Sequence, residues 1–188
     1  MPRLFTGIEI PAEIAQRLAS LQGGLQGARW IPSDNYHLTL RFIGDVDMMT
    51  ADMITEALSG VSRPAFELML TGLGVFGGRS PRAIFASAES GRPLMDLQAD
   101  HERLVQRLGL PPEGRKYTPH ITLARLRKGR PRAVADYLAL RGGFAVEPFT
   151  VDRFVLFSAR QLIGGGPYVA EQTYGLAPAA SVQQEEDN

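Results

Sequence analysis

Cysteine is absent from the 188 residues, which excludes disulfide frameworks, thiolate-bound zinc, iron–sulfur clusters and thiol nucleophiles. An excess of either charge is also absent. Twenty Lys and Arg balance twenty Asp and Glu, so the chain is not built to coat long nucleic acids by bulk electrostatics, although a local basic pocket stays compatible with neutrality. No window approaches the roughly 18 to 20 consecutive apolar residues of a membrane span. The opening segment is interrupted by Glu9 and Pro11 and carries no apolar signal-peptide run. A soluble, cytoplasmic, monomeric chain with no membrane partner is the expectation. Histidine is scarce, at three residues, and there is one tryptophan, Trp30, which beside Ile31 and Pro32 reads as a packing anchor.

What is present is an ordinary globular composition, 44% hydrophobic and 21% charged, able to bury a core. The length suits one compact unit, read as residues 1–176, followed by a polar tail over 177–188 that lacks large apolar side chains and is expected to be disordered. Period-two alternation predicts strands over 4–10, 36–43, 66–73, 82–88, 118–126, 149–158 and 168–174. Helical spacing of Ile14, Leu18, Leu21 and Leu25 predicts a first helix that frays at Gly23 to Gly27. Met53, Ile54, Ala57, Leu58 and Val61 mark a second helix, Leu94, Leu97, Leu104 and Leu108 a third, and residues 131–140 a fourth. The Gly-rich stretch 72–81 reads as a long loop carrying Arg79 and Arg82, and Gly164 to Gly166 reads as a turn. His101 falls on the apolar stripe of the third helix and is assigned to packing at the edge of the core.

The sharpest signal is internal. At an offset of 83 residues, His37-Leu-Thr-Leu40 aligns with His120-Ile-Thr-Leu123. With nine threonines in the chain, two of three histidines having Thr two places on is expected by chance in under about 1% of such sequences. Residues two apart on a strand share a face, so each His lies beside its Thr while Leu38, Leu40, Ile121 and Leu123 face the other way. If the two strands belong to related lobes that face each other, two imidazoles and two hydroxyls converge on one cleft. Imidazoles exchange protons near neutrality, and hydroxyls can hold the non-bridging oxygens of a phosphoryl group. The residues thus describe an acid–base site that calls for neither metal nor cofactor.

These motifs, with Phe5 to Pro11, Arg29-Trp-Ile-Pro32, Asn35 to Gly44, Pro119 to Arg125 and Gly166-Pro-Tyr168, resemble the 2H phosphoesterases, and within them the bacterial and archaeal RNA 2′,3′-cyclic phosphodiesterases. The resemblance implies an α+β, bilobal fold of two pseudo-symmetric lobes, each an antiparallel sheet with outer helices, around a central cleft. It implies hydrolysis of a 2′,3′-cyclic phosphate to a 2′-phosphate on RNA 3′ ends or cyclic nucleotides. His37 and His120 become the acid–base pair and Thr39 and Thr122 the phosphate clamps. By the same resemblance His120 is the base and His37 the acid, an order the residues themselves leave open. Five residues after each His stand Phe42 and Arg125, for which the resemblance implies base stacking and phosphate contact. Strict alternation puts both on the face opposite the histidines, so a twist or bulge must bring them into the cleft, or else they are structural.

Other readings share the motifs. A related enzyme could join 2′–5′ RNA ends or open a cyclic phosphate on a small nucleotide-sugar. A noncatalytic RNA-end binding module would keep the pocket, but has no need of two proton carriers. A two-histidine metal site lacks acidic or cysteine partners in either motif.

Overall fold

A computed structural model describes residues 1–127, 130–159 and 167–179. The elements are β1 (Arg3–Glu9), α1 (Ala12–Ala19), β2 (Ala28–Trp30), a 3-10 turn (Ser33–Asn35), β3 (His37–Asp45), α2 (Met48–Leu58) and β4 (Phe66–Phe76). There follow β5 (Ala83–Glu89), α3 (Arg92–Arg107), β6 (His120–Leu126), α4 (Pro131–Arg141), β7 (Phe149–Val151), β8 (Arg153–Ala159) and β9 (Tyr168–Gly175). The architecture is α+β, a curled antiparallel sheet with these four helices. Strand order is β7-β4-β5-β6-β3-β1-β8-β9, and β2 also pairs with β6.

The order is palindromic in kind. Outward from the central pair β6 and β3 come β5 and β1, then β4 and β8, then β7 and β9. The two halves are interlaced. β4 follows the first His-bearing strand in the chain yet pairs with β5, and β8 follows the second yet pairs with β1. The halves are therefore stitched together by both chain crossings. The sheet curls far enough for a parallel bridge to join Pro64, just before β4, to Ala177, just after β9.

Local chemistry sets the element ends. Asp47 caps α2 by accepting the Thr50 amide at 2.7 Å. Proline occupies the first turn of both α3 and α4, where its missing N–H costs nothing. In α3, Leu94, Leu97, His101 and Val105 form the buried stripe.

Several expectations change. α1 ends at Ala19, before Leu21 and Leu25, because Leu21 and Gln22 tighten into three-residue bonds on Leu18 and Ala19 and Gly23 and Gly24 then take positive φ. The stretch 72–76 is strand. Gly74 pairs with Phe85 and Phe76 with Ala83, and the turn shrinks to Gly77 through Arg82. Glycine at 74 is there for room, since a Cβ would collide with the Phe85 ring. The span 149–158 is two strands at widely separated places in the sheet, β7 on β4 and β8 on β1. Ala177, expected in a disordered tail, is tied down by backbone bonds to Arg63 and Ala65, which need no large side chain. Residues 180–188 and the Gly164 to Gly166 turn lie outside the described residues.

His101 sits deep in the core rather than at its edge, with no exposed surface. Its Nδ1 is 2.7 Å from Thr6 Oγ1, its ring meets Phe154 edge-on at 4.5 Å, and its Nε2 is buried with no hydrogen-bond partner among the described residues. Burial lowers its pKa to about 4. A neutral ring in the folded state against an ordinary one in the unfolded chain means that the unfolded state binds more protons below pH 6.5. Stability should accordingly be full above pH 6.5 and fall as the pH drops toward 4, by about 3 kcal/mol from this residue. Urea melts at pH 7 and 4.5 measure the loss, and His101→Met should flatten part of the slope. An unchanged slope in that variant would contradict the assignment.

Candidate active site

The two His strands meet at one place. Leu38 of β3 pairs with Ile121 of β6, and both are fully buried. This antiparallel register sets His37 across from Thr122 and Thr39 across from His120, all four half-buried on the face opposite the core. Each imidazole thus stands beside the other motif's threonine as well as its own.

The two rings are held alike. His37 Nδ1 donates to Asn35 O at 2.9 Å, and His120 Nδ1 donates to Thr118 O at 2.6 Å. In each case the acceptor is the carbonyl two residues upstream. A carbonyl can only accept, so the proton of the neutral ring is on Nδ1 and the lone pair is on Nε2. His37 Nε2 is 3.1 Å from Thr39 Oγ1, and with the ring neutral the hydroxyl is the donor. Behind each ring stands a stacked phenylalanine pair. Phe5 and Phe157 lie 5.0 Å apart and contact His37, while Phe76 and Phe85 lie 4.2 Å apart and meet His120 edge-on. Tyr168 closes the His37 side at 4.8 Å. Sequence reasoning misses these aromatic backings as part of the site. Their signal is Phe at 5, 76, 85 and 157, legible only once the neighbouring strands are known.

Both rings are less basic than free imidazole. Burial lowers His37 to about 4, with lesser contributions in the same direction from His120 and Arg125, while its bond to Asn35 opposes the shift. Burial also lowers His120, aided by Arg115 and Arg125 and opposed by its bond to Thr118. Arg125 contributes to both shifts, and it stands opposite Ala83, two residues from the Phe85 that meets His120, which locates it on the histidine side of the sheet.

A bulge accounts for that location. Gly7 pairs with Thr39 and Thr6 with Arg41, leaving Leu40 as an extra residue in β3. Phe85 pairs with Thr122 and Ile84 with Ala124, leaving Leu123 as the extra residue in β6. After each bulge two consecutive residues are buried, Leu40 with Arg41 and Leu123 with Ala124, so the alternation resets. Phe42 and Arg125 then emerge on the histidine face, Phe42 46% exposed. The buried Arg41 is neutralised by Glu102 and donates to Pro111 O at 2.6 Å. Tyr117 fixes the first motif from below by donating to the Thr39 carbonyl at 3.0 Å.

Elsewhere the structure offers less chemistry. A hollow of about 530 Å³ between the end of α2 and α3 contains none of these residues, and its Arg63 and Arg103 are both paired with Asp100. Among the described residues no three His, Asp or Glu side chains converge as a metal-ligand set, and no helix is long and apolar enough to cross a membrane. Trp30 packs on the core and on Tyr137, 5.8 Å away.

The duplicated geometry has a counterpart in a family model. The model of LigT-like phosphoesterases matches residues 8–86 and again 84–168. The chain belongs to that family. It is 29% identical over 160 residues to the RNA 2′,3′-cyclic phosphodiesterase of Geobacillus stearothermophilus, covering 79% of this chain and 51% of that protein. It is 34% identical over 102 residues to the protein of the same name from Aeropyrum pernix, covering 53% and 58%, and 31% identical over 132 residues to that of Thermotoga maritima, covering 66% and 70%. The chain thus spans little more than half the length of the first two relatives. Escherichia coli LigT complexed with 3′-AMP shares the fold, with TM-score 0.73 and 24% identity over 94% of this chain and 99% of that one. A structure from Thermus thermophilus superposes with TM-score 0.78 at 24% identity, over 94% and 98%.

The packing around His120 is testable through Gly74. A methyl group there would strike Phe85, and the ring's simplest escape is toward His120. Gly74→Ala should cost about 1 to 3 kcal/mol in stability. The His120 ring resonances in NMR should shift while those of His37 stay in place; displacement of both rings alike would refute a local effect.

Proposed function

We propose that the cleft hydrolyses 2′,3′-cyclic phosphates at RNA 3′ ends or on nucleotides, giving 2′-phosphates, with two histidines as proton carriers and no metal. The observation that carries this reading is the meeting of two tautomer-locked imidazoles, each beside a threonine hydroxyl, across the single Leu38–Ile121 pair. The names of the relatives in Geobacillus, Aeropyrum and Thermotoga point the same way.

In this scheme Thr39 and Thr122 hold the non-bridging oxygens, and Arg125 balances the phosphate charge. Phe42 offers an exposed ring on which a base can stack. His120 Nε2 takes a proton from water as the water oxygen bonds to phosphorus. The bond from phosphorus to the 3′-oxygen breaks in line, and His37 gives that oxygen its proton. The product carries a 2′-phosphate and a free 3′-hydroxyl, and the two rings exchange protons with solvent to reset.

Burial leaves both rings neutral in the free protein at pH 7, so the acid must be charged by the substrate. A phosphodiester anion held between the rings supplies that charge by raising the pKa of His37. Four outcomes are expected. EDTA-treated protein converts a short RNA ending in a 2′,3′-cyclic phosphate to a product that resists 3′-specific phosphatases. His37→Ala and His120→Ala each lower turnover by about 10² to 10⁴-fold with folding intact, and near-normal turnover in either sinks the scheme. Because both free-protein pKa values lie below 6.5, kcat/KM rises with pH as the base loses its proton and falls as the acid does. Its maximum should lie on the acid side of pH 6.5, with decline from there to pH 8. NMR titration with 2′-AMP should raise His37; a rise confined to His120 would reverse the two roles.

The family also leaves room for a pocket that only binds RNA ends. Tight binding of the same RNA with no turnover would select it.

A further inference from the structure

Beyond the second motif, β6 and the residue after it read Arg125, Leu126, Arg127, with Leu126 buried and both arginines exposed. On the neighbouring strand Arg29 stands directly opposite Arg125 and is also exposed. Ala28 and Trp30 flank it opposite the buried Leu126 and Ala124, so the two arginines share the face away from the core. Directly opposed residues of an antiparallel pair have neighbouring Cβ atoms. An RNA chain leaving the phosphate at Arg125 therefore passes Arg29 next, whose guanidinium can add charge-assisted hydrogen bonds to a second phosphate.

The basic strip continues past this pair. Gln26, Gly27, Arg127, Arg130 and Ala133 line a hollow of about 210 Å³. That is below the roughly 300 Å³ at which pockets begin to hold whole small molecules, and is sized for a phosphate with part of a sugar. Among the described residues Arg125, Arg127 and Arg130 form no ion pair with a carboxylate, whereas Arg3, Arg41, Arg63, Arg103, Arg115 and Arg153 do. Same-face positions on a strand lie about 6.6 to 6.8 Å apart. Successive phosphates of an extended single strand are separated by a similar distance, so a strand laid along β6 can meet guanidinium groups phosphate by phosphate.

We propose that this strip is the track for the RNA lying 5′ of the cyclic phosphate. Arg29 holds the phosphodiester that joins the terminal nucleotide to its neighbour, and the hollow between Arg127 and Arg130 holds the next one upstream. The assignment rests on the reading of the cleft as a cyclic phosphodiesterase site and adds a preference for chain length to it. Two upstream phosphates are read, and further ones are not. This is compatible with a chain of zero net charge, since the basic groups are needed only over a few nucleotides.

The test compares adenosine 2′,3′-cyclic phosphate with the di- and tri-adenylates ending in the same group, at low salt. In the unmodified protein kcat/KM should rise at each added phosphodiester. Arg29→Ala should leave the mononucleotide within about twofold and remove the first gain, about tenfold, with Arg29→Lys retaining part of it. Arg130→Ala should remove only the second gain. For the trinucleotide, each substitution should make the slope of log kcat/KM against log salt shallower by about 0.7. A protein that hydrolyses all three substrates equally well, or an Arg29→Ala variant that slows all three alike, overturns the track. If none is hydrolysed, the cyclic phosphodiesterase reading fails separately. The strip is then judged by fluorescence anisotropy with a labelled tetra-adenylate ending in a plain 3′-hydroxyl, where weaker binding in Arg29→Ala and Arg130→Ala upholds it and unchanged binding overturns it.

Discussion

The contact between Leu38 and Ile121 is the point on which the arrangement turns. Among the described residues it is the one pair joining β3 to β6, and it lies under a face that carries both histidines and both threonines. Two strands that touch at a single residue and then diverge create a cleft above the contact, because the side chains of neighbouring positions splay apart as the strands do. The fully buried apolar pair makes the register expensive to lose, since a slip by one residue would turn Leu38 and Ile121 outward and the imidazoles into the core. Interlacing strengthens the same constraint. With β4 and β8 each crossing to the other half, the halves cannot drift apart without unpairing strands that lie far from the cleft.

Much of this was legible in the sequence, and the reasons for the remainder are specific. The offset of 83 residues revealed the duplication, and period-two alternation placed each His beside its Thr, because both depend only on local backbone geometry. That the duplicated strands would be direct neighbours was not readable, since pairing between residues so far apart in the chain leaves no local trace. Gly72 and Gly74 looked like a loop for a related reason. Glycine signals either a turn or a close approach, and only the position of Phe85 across the strand pair decides which. Residues 149–158 looked like one strand because apolar residues flank Asp152 and Arg153 closely on both sides, and nothing local marks that the chain changes sheet neighbours there.

Phe42 and Arg125 illustrate how a small irregularity carries chemistry. Regular alternation would bury a ring and a guanidinium on the wrong face. One extra residue ahead of each, Leu40 in β3 and Leu123 in β6 at the same offset of 83, reverses that outcome. The extra residues are leucines, so the bulge adds to the core instead of exposing backbone, and the duplication of the bulge keeps the two halves in step. The inward turn of Arg41 that results is met by Glu102 of α3, which ties the helix to the strand just beyond the cleft.

The electrostatics of the cleft follow from its walls. Stacked phenylalanine pairs exclude water from one side of each ring and thereby depress both imidazoles, and Arg125 adds positive charge within reach of both. In the proposed mechanism a site so arranged holds both imidazoles neutral until an anion arrives, so occupancy and activation become the same event: the ligand that is to receive a proton is also the charge that makes a proton available. The carbonyls of Asn35 and Thr118 keep Nδ1 protonated throughout, which restricts the exchange to Nε2. Had either ring been free to flip, the gain from an incoming anion would be divided between two nitrogens and two orientations, and the geometry set by the Leu38–Ile121 pair would no longer determine where the proton goes.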